Sequence, residues 1–144
     1  MPDWATDISF RKNTLNAKIE TIREKLSFRN SIFTRCLILV DGFYEWQWLD
    51  EKGKNKQKYL MSLPSDEPFA LAGIWNASTN RQTGEIMNTY TLLTTVANEQ
   101  MRIIHNSKKR MPMILKPEEE SLWLGNQNIS PGRDIELLTL KLEN

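Results

Sequence analysis

The sequence has few of the residues that build disulfides and metal centres. It contains one cysteine and one histidine in 144 residues, so no internal disulfide can form and the usual zinc ligand sets cannot be assembled. We therefore expect no metal and no other cofactor. The lack of a disulfide agrees with a reducing compartment, which predicts a cytoplasmic protein.

Long apolar runs and a strong net charge are absent as well. No apolar stretch approaches the roughly 20 residues that a bilayer helix needs, and the first residues lack the regions of a signal peptide, so we expect no membrane contact. Formal net charge is only +1, so any binding to nucleic acid must come from a local basic patch. The length fits a single domain over residues 1–144, in which 126–144 is expected as an irregular tail unless 135–142 forms a last strand.

Hydrophobic patterning predicts several strands and few helices. Apolar residues spaced by four and three predict an amphipathic helix over 15–25. The continuous apolar run 35–40 predicts a strand that is buried on both faces. Further strands are predicted at 43–49, 57–62, 69–75, 90–95 and 111–115, with hairpin loops at 50–55 and 76–85, a helix over 99–104 that Asn98 caps, and a helix from Pro117 to residue 124.

One carboxylate, Glu45, lies in an aromatic and aliphatic run that is otherwise typical of a core. Strand alternation places Glu45 on the same face as Phe43 and Gln47, and the opposite face then carries Tyr44, Trp46 and Trp48. Such a residue is often a strand-edge carboxylate paired to a lysine. Its aromatic neighbours, however, favour partial desolvation, which raises a carboxyl pKa and suits acid/base chemistry.

The histidine, His105, follows the helix predicted over 99–104. It either interacts with the helix dipole or acts in proton transfer, because histidine is the side-chain type that ordinarily titrates near neutral pH. Two proton-transfer groups in apolar settings, Glu45 and His105, suggest one site. The next cations are Lys108, Lys109 and Arg110, which form either a solvated loop or a phosphate-binding site.

The cysteine and the tryptophans have less specific interpretations. Cys36 lies in the apolar run 35–40, and apolar burial would hide the thiol and raise its pKa, so we expect a structural role and no protein nucleophile here. Trp4, Trp46 and Trp48 are candidates for stacking on bases, although tryptophan is more often a core residue.

Five segments occur in the order typical of the SOS response-associated peptidase (SRAP) family, and the sequence resembles that family almost up to Leu124. They are Pro-Asp-Trp at 2–4, Asn-Ala-Lys-Ile-Glu-Thr at 16–21, the run Arg-Cys-Leu-Ile-Leu-Val-Asp-Gly-Phe-Tyr-Glu-Trp at 35–46, Thr-Thr-Val-Ala-Asn at 94–98, and 104–112, which opens with Ile-His and closes with Arg-Met-Pro.

The resemblance implies a mixed α/β fold, in which a curled, mostly antiparallel sheet or barrel with short flanking helices surrounds a DNA-binding cleft. Members of this family sense abasic sites in single-stranded DNA, bond to them covalently as a thiazolidine and act as thiol autopeptidases. The implied partner is therefore single-stranded DNA with abasic sites, on which the protein would be nucleoid-associated, and no obligate protein partner is implied.

Residue roles follow from the same resemblance. Asn16 would position the reacting N-terminus, Glu45 would transfer protons during ring opening and imine formation, and His105 would assist ring opening and reversal. Thr94 and Arg110 would contact the DNA backbone. Together with the charge and aromatic patterns, this gives the expected DNA-binding residues Trp4, Lys18, Trp46, Thr94, Lys108, Lys109 and Arg110.

Three departures from the family pattern qualify these expectations. The family's cysteine after the initiator methionine has no counterpart, because residue 2 is Pro2. Lys18 stands where the family has arginine, which keeps the charge but loses the planar fork, and the C-terminal Val-Asn element has no counterpart. We expect a truncated gene product without cross-linking activity of its own. The alternatives are a non-catalytic module that binds single-stranded DNA, and a fragment whose open strand edges lead to dimerisation or poor folding.

Overall fold

Strands dominate the computed structural model, which describes residues 2, 5, 7–80, 83–131 and 134–143. The strands are β1 Asn16–Lys18, β2 Arg35–Val40, β3 Phe43–Trp48, β4 Lys56–Ser62, β5 Phe69–Thr79, β6 Ile86–Val96, β7 Arg110–Pro112, β8 Ile114–Leu115 and β9 Leu138–Lys141. The α-helices are α1 Glu99–Ile104 and α2 Pro117–Leu124, and 3-10 helices cover Ile8–Asn13 and Ile19–Thr21. Within these described ranges, no helix is long and apolar enough to cross a membrane.

Two sheets form the frame of the molecule. The larger one has the order β1-β6-β5-β2, with β7 beside β6 and β8 beside β5, and the smaller one has the order β3-β4-β9. Pairing is antiparallel except between β1 and β6. The sheets curl into a half-barrel with few helices, which confirms the predicted fold class.

The larger sheet is covered on both faces, because successive side chains along its strands point alternately into two cores. Leu93 belongs to the first core, in which Ile22 and the α2 residue Trp123 are also buried. The adjacent Leu92 packs against the second core, which contains Met61 of the smaller sheet and Met101 of α1. The candidate site lies on this second side, between the larger sheet, the smaller sheet and α1.

Both predicted hairpins are present. β3 pairs with β4 so that Glu45 lies opposite Tyr59. β5 and β6 extend further than predicted, to Thr79 and from Ile86, so the loop between them is shorter. The sequence pattern predicted the end of β5 near residue 75 because the β5–β6 hairpin continues beyond that point with polar residues. Of these, Ser78 is still buried, at 4% exposure.

The helix predicted over 15–25 is wrong. Its first part is strand β1, followed by the 3-10 turn Ile19–Thr21. Parallel pairing with β6 buries Ala17 opposite Leu93, and this tertiary contact outweighs a weak local helix preference. Leu15, which gave the helical spacing, is 61% exposed and does not belong to a buried stripe.

The strand at 35–40 is present, but the prediction that both of its faces are buried is wrong. β2 lies at the end of the strand order, where one edge lacks a neighbouring strand in the described sheet, and Leu39 is 71% exposed. The segment 111–115 also differs, since it divides into β7 and β8. At Met113 the backbone changes partner: its N–H donates to the Leu93 carbonyl, and its carbonyl accepts from the Ala72 N–H.

The predicted helices at 99–104 and from Pro117 are present. Asn98 caps α1, because its side-chain oxygen accepts a hydrogen bond from the Met101 N–H at 2.8 Å. Of the two alternatives for 135–142, the structure contains a strand, because β9 pairs with β4 over Tyr59 to Ser62.

Candidate functional site

Glu45 and His105 meet in the space between the smaller sheet and α1. Glu45 points inward from β3, and His105 caps the C-terminus of α1. The distance from His105 Nδ1 to Glu45 Oε1 is 3.7 Å, and the side chains are 21% and 18% exposed respectively. Two groups that are 60 residues apart in sequence thus form one half-buried pair.

A backbone contact fixes the tautomer of the histidine. His105 Nδ1 lies 2.8 Å from the carbonyl oxygen of Arg110. A carbonyl only accepts, so Nδ1 carries the hydrogen and donates it. In the neutral ring Nε2 is then the proton acceptor.

Burial dominates the electrostatics of Glu45. Desolvation raises the pKa of its carboxyl group, and the opposing effects of His105 and of a 3.4 Å hydrogen bond from the Trp46 N–H are smaller. The carboxyl therefore keeps its proton to a higher pH than an ordinary glutamate does, which suits a group that donates and accepts protons.

Side-chain amides connect strand β3, which carries Glu45, to the end of helix α1, which carries His105. Asn106 accepts a hydrogen bond from the Trp48 N–H at 3.0 Å and donates one to the Trp48 carbonyl at 2.9 Å. Gln47 donates to the Ile103 carbonyl at 3.0 Å. These bonds dock the end of α1 on the open edge of β3. Neither Asn106 nor Gln47 was predicted as a site residue, although each lies within two residues of one that was.

Arg110 is held by a second carboxylate, Glu20. The guanidinium donates to both Glu20 carboxylate oxygens, at 3.1 and 2.8 Å, and to the Thr94 carbonyl and hydroxyl, at 2.7 and 3.2 Å. Its side chain is 14% exposed. Since the guanidinium already has these protein partners, its predicted contact with DNA stays a prediction. Lys108 and Lys109 remain exposed.

Glu20 has the opposite pKa shift to Glu45. Burial alone would raise its pKa, but hydrogen bonds from Arg110 and Thr95, together with the charge of Arg110, outweigh burial and lower it. The Val96 N–H also donates to it, at 3.2 Å. Sequence reasoning missed this residue. Its signal was its place in the segment 16–21, on which the family resemblance partly rests.

Strand register places three further predicted residues on one face of the larger sheet. Asn16 lies opposite Leu92, and Lys18 lies opposite Thr94. Asn16 and Lys18 are exposed, whereas the residue between them is buried in the first core. Asn16, Lys18 and Thr94 therefore face the side of the sheet on which the Glu45–His105 pair lies.

Cys36 is packed closely but is only half-buried. It lies opposite Gly73, where a β-carbon would come within 2.8 Å of the thiol sulfur, so this position has no room for a side chain. Burial raises the pKa of the thiol, which agrees with the expected low reactivity. Burial is nevertheless less complete than the sequence predicted.

The remaining predicted residues have different surroundings. Trp46 is 45% exposed and lies on the face of β3 opposite Glu45. Trp4 lies outside the described residues. Pro2 is buried and lines a small cavity together with Phe28 and Ile74, on the first-core side of the sheet. Among the described residues there is no group of three His, Cys, Asp or Glu side chains that could hold a metal ion.

Sequence comparison assigns the family. Residues 1–143 match the family described as SOS response associated peptidase (SRAP). The chain belongs to the SRAP family. It is similar to the abasic site processing protein YoqW of Bacillus subtilis, with 40% identity over 132 residues, 91% of this chain and 56% of the relative. The abasic site processing protein HMCES of Gallus gallus is 31% identical over 168 residues, 100% of this chain and 48% of the relative.

Two solved structures superpose on the chain. A protein from Bacteroides thetaiotaomicron matches with a TM-score of 0.83 and 31% identity, over 99% of this chain and 66% of that one. A protein from Bordetella bronchiseptica matches with a TM-score of 0.79 and 24% identity, over 100% and 74%, which bears on the fold alone. The SRAP chain described here spans about half the length of the curated relatives it matches.

Proposed function

We propose that this chain supplies the acid/base groups for the processing of abasic sites in single-stranded DNA. The observation that carries the proposal is the Glu45–His105 pair, in which a desolvated carboxyl with a raised pKa lies 3.7 Å from an imidazole. SRAP membership and relatives named abasic site processing proteins support DNA with abasic sites as the substrate.

Ring opening is the step that this pair serves. An abasic deoxyribose is mainly a closed hemiacetal, and its C1′ aldehyde becomes available when the C1′ hydroxyl loses a proton and the ring oxygen gains one. Protonated Glu45 donates to the ring oxygen while His105 Nε2 accepts from the hydroxyl. Such positioned proton transfer contributes roughly 10²–10⁴-fold to a rate.

Covalent capture needs an amine and a thiol in addition. The amine adds to the aldehyde, water leaves to give an imine, and the thiol then adds to the imine carbon to close a thiazolidine. Residue 2 of this sequence is proline, and the thiol of Cys36 is half-buried with a raised pKa. We therefore limit the proposal for these 144 residues to ring opening, and we treat cross-linking and autoproteolysis as activities that require a cysteine nucleophile.

The DNA strand is proposed to lie along the face that carries Asn16, Lys18 and Thr94. Lys18 contributes an exposed cation there, and Lys108 and Lys109 add two more beyond His105. Arg110 stabilises this surface, because its guanidinium donates hydrogen bonds to Thr94 and Glu20. Asn16 is assigned to position the incoming amine.

An aldehyde-capture assay tests the proposal. Single-stranded DNA with one abasic site is mixed with an aminooxy dye, and the rate of oxime formation reports ring opening. The chain should accelerate capture, and Glu45→Gln should abolish the acceleration. Glu67→Gln, which changes an exposed loop carboxylate, is the matched control and should behave as the unmodified chain.

Two results would reject the proposal: no acceleration by the folded chain, or equal acceleration by Glu45→Gln. A denaturing gel without reductant is run in parallel. We expect no heat-stable DNA adduct from a polypeptide of these 144 residues. An adduct that maps to Cys36 would show that our assignment of that thiol as structural is wrong.

A further inference from the structure

The open edge of the smaller sheet carries backbone groups that need partners. β3 stands at the end of the order β3-β4-β9, so one of its edges has no neighbouring strand in the described sheet. Just beyond the paired residues, the Leu49 N–H donates to the Asn55 carbonyl on the β4 side. Backbone groups of successive residues in an antiparallel strand point to alternate sides. The N–H and C=O groups of Trp46 and Trp48 therefore point to the open edge.

Two side chains occupy successive positions along this edge. The Trp46 N–H donates to the Glu45 carboxylate at 3.4 Å. Two residues further on, about 6.8 Å along the strand, the side chain of Asn106 is bonded to both backbone groups of Trp48, at 3.0 and 2.9 Å. Since His105 directly precedes Asn106 in the chain, this attachment brings the imidazole beside the carboxylate.

The Asn106 amide takes the place of a neighbouring strand. Its oxygen accepts from the N–H of Trp48 and its NH₂ group donates to the C=O of the same residue, which is how the backbone of one strand bonds to the next. An ionised aspartate offers acceptors only, and an alanine offers neither group. The Asn106 side chain is exposed, so these two bonds, and not burial in a core, are its contribution to the structure.

A second amide holds the same helix on the other side of the histidine. Gln47 donates to the Ile103 carbonyl at 3.0 Å and accepts from the Tyr59 hydroxyl at 3.1 Å. His105 thus lies between two points of attachment to the smaller sheet, at Ile103 and at Asn106. The attachment at Asn106 has two hydrogen bonds and is adjacent to the histidine, so it has the more direct effect on the position of the imidazole.

We propose that Asn106 is a positioning residue for the acid/base pair: its amide fixes the end of α1 on Trp48 and thereby sets the separation of His105 from Glu45. The use of the pair in ring opening rests on the proposed function, whereas the positioning involves no substrate. A displacement of about 1 Å at a catalytic group can cost up to about 10²-fold in rate. Loss of an exposed amide should therefore impair the chemistry far more than the fold.

The direct test is an NMR titration of the chain without DNA. In the unmodified chain the His105 ring resonances should respond when Glu45 titrates, because the two groups are 3.7 Å apart. A Glu45→Gln spectrum identifies this response. In Asn106→Ala the response should fall by about half or more, since a Coulomb interaction halves when the separation doubles. A residue that only stabilises the fold would leave the response of the folded molecules unchanged.

Neighbouring variants serve as controls. Ser107→Ala removes the adjacent exposed side chain and should leave the response as it is in the unmodified chain. Asn106→Gln retains an amide and should restore part of the response. In the aldehyde-capture assay, Asn106→Ala should reduce the acceleration up to about 10²-fold, and Ser107→Ala should stay within twofold. Urea unfolding shows whether each variant is folded. If Asn106→Ala does not fold, Asn106→Ser, whose one hydroxyl cannot bridge both backbone groups, replaces it in the same titration.

Two results would overturn the proposal: an unchanged response of His105 to Glu45 in the folded alanine or serine variant, or an equal reduction in Ser107→Ala. The titration uses no DNA, so its outcome is separate from that of the capture assay. If the unmodified chain does not accelerate capture, the proposed function fails, and the NMR comparison still decides whether Asn106 positions the pair.

Discussion

The SRAP chain holds two carboxylates beside nitrogen-bearing side chains, and the two pairs differ in nearly every physical respect. Glu20 makes a two-point contact with Arg110, with a shortest N–O distance of 2.8 Å. Glu45 lies 3.7 Å from His105, which donates its Nδ1 hydrogen to a backbone carbonyl instead. Glu20 thus accepts hydrogen bonds from Arg110, Thr95 and Val96, whereas Glu45 accepts the 3.4 Å bond from the Trp46 N–H.

This difference supports the proposal that the two carboxylates have different tasks. The pKa of Glu20 is lowered, so it stays ionised and serves as a fixed anion that holds Arg110 and the β6–β7 edge. The pKa of Glu45 is raised by burial, so its proton is available for transfer. Burial without enough hydrogen bonds is typical of a reactive carboxyl, whereas burial with them is typical of a structural one.

Removing the imidazole should produce an effect as large as that of Glu45→Gln. His105→Ala deletes the proton acceptor and should reduce the acceleration of aldehyde capture roughly 10²–10⁴-fold. The free energy of unfolding should change only slightly, because the His105 side chain is partly exposed. Parallel capture and urea measurements check this. Full activity with a large loss of stability would mean that the pair is structural.

Removing the Glu20 carboxylate should have the opposite profile. Glu20→Ala leaves the Arg110 guanidinium without its charge partner and should lower the free energy of unfolding by about 1–3 kcal/mol. This is less than the 3–5 kcal/mol of a fully buried pair, because Glu20 is 38% exposed and solvent screens it. A double-mutant cycle with Arg110→Ala isolates the coupling. Additive losses would show that the contact is not stabilising.

The pH dependence of stability should distinguish the two carboxylates by sign. The lowered pKa of Glu20 gives stability that is present at neutral pH and is lost as pH falls through its folded pKa. The raised pKa of Glu45 makes its ionisation unfavourable, so stability is lost as pH rises through its folded pKa. Relative to the unmodified chain, Glu20→Gln should flatten the acid limb, and Glu45→Gln should be slightly more stable at neutral pH. Identical pH profiles for the two variants would erase the distinction.

Some of this site follows from the sequence alone. Strand alternation along 43–48 predicted that Glu45 and Trp46 lie on opposite faces of one strand. Asn98 and the spacing after it predicted the helix that ends at His105. These features are local, so periodicity and capping chemistry carry them.

The rest depends on contacts between distant segments. Residues 16–18 form a strand because β6 pairs with them, and no pattern within 15–25 encodes that partner. Glu20 lies 90 residues from Arg110 in sequence, and Asn106 lies 58 residues from Trp48. Such contacts are decided by the curl of the sheet, which single-sequence periodicity does not describe.

The most direct test is to measure the two carboxyl pKa values in one sample. The side-chain carboxyl carbons of Glu45 and Glu20 can be followed by NMR from pH 2 to 9, with Glu45→Gln and Glu20→Gln spectra to assign them. We predict that Glu45 titrates above the ordinary glutamate value of about 4.3 and Glu20 below it. A Glu45 pKa at or below that of Glu20 would contradict the assignment of Glu45 as the acid/base group.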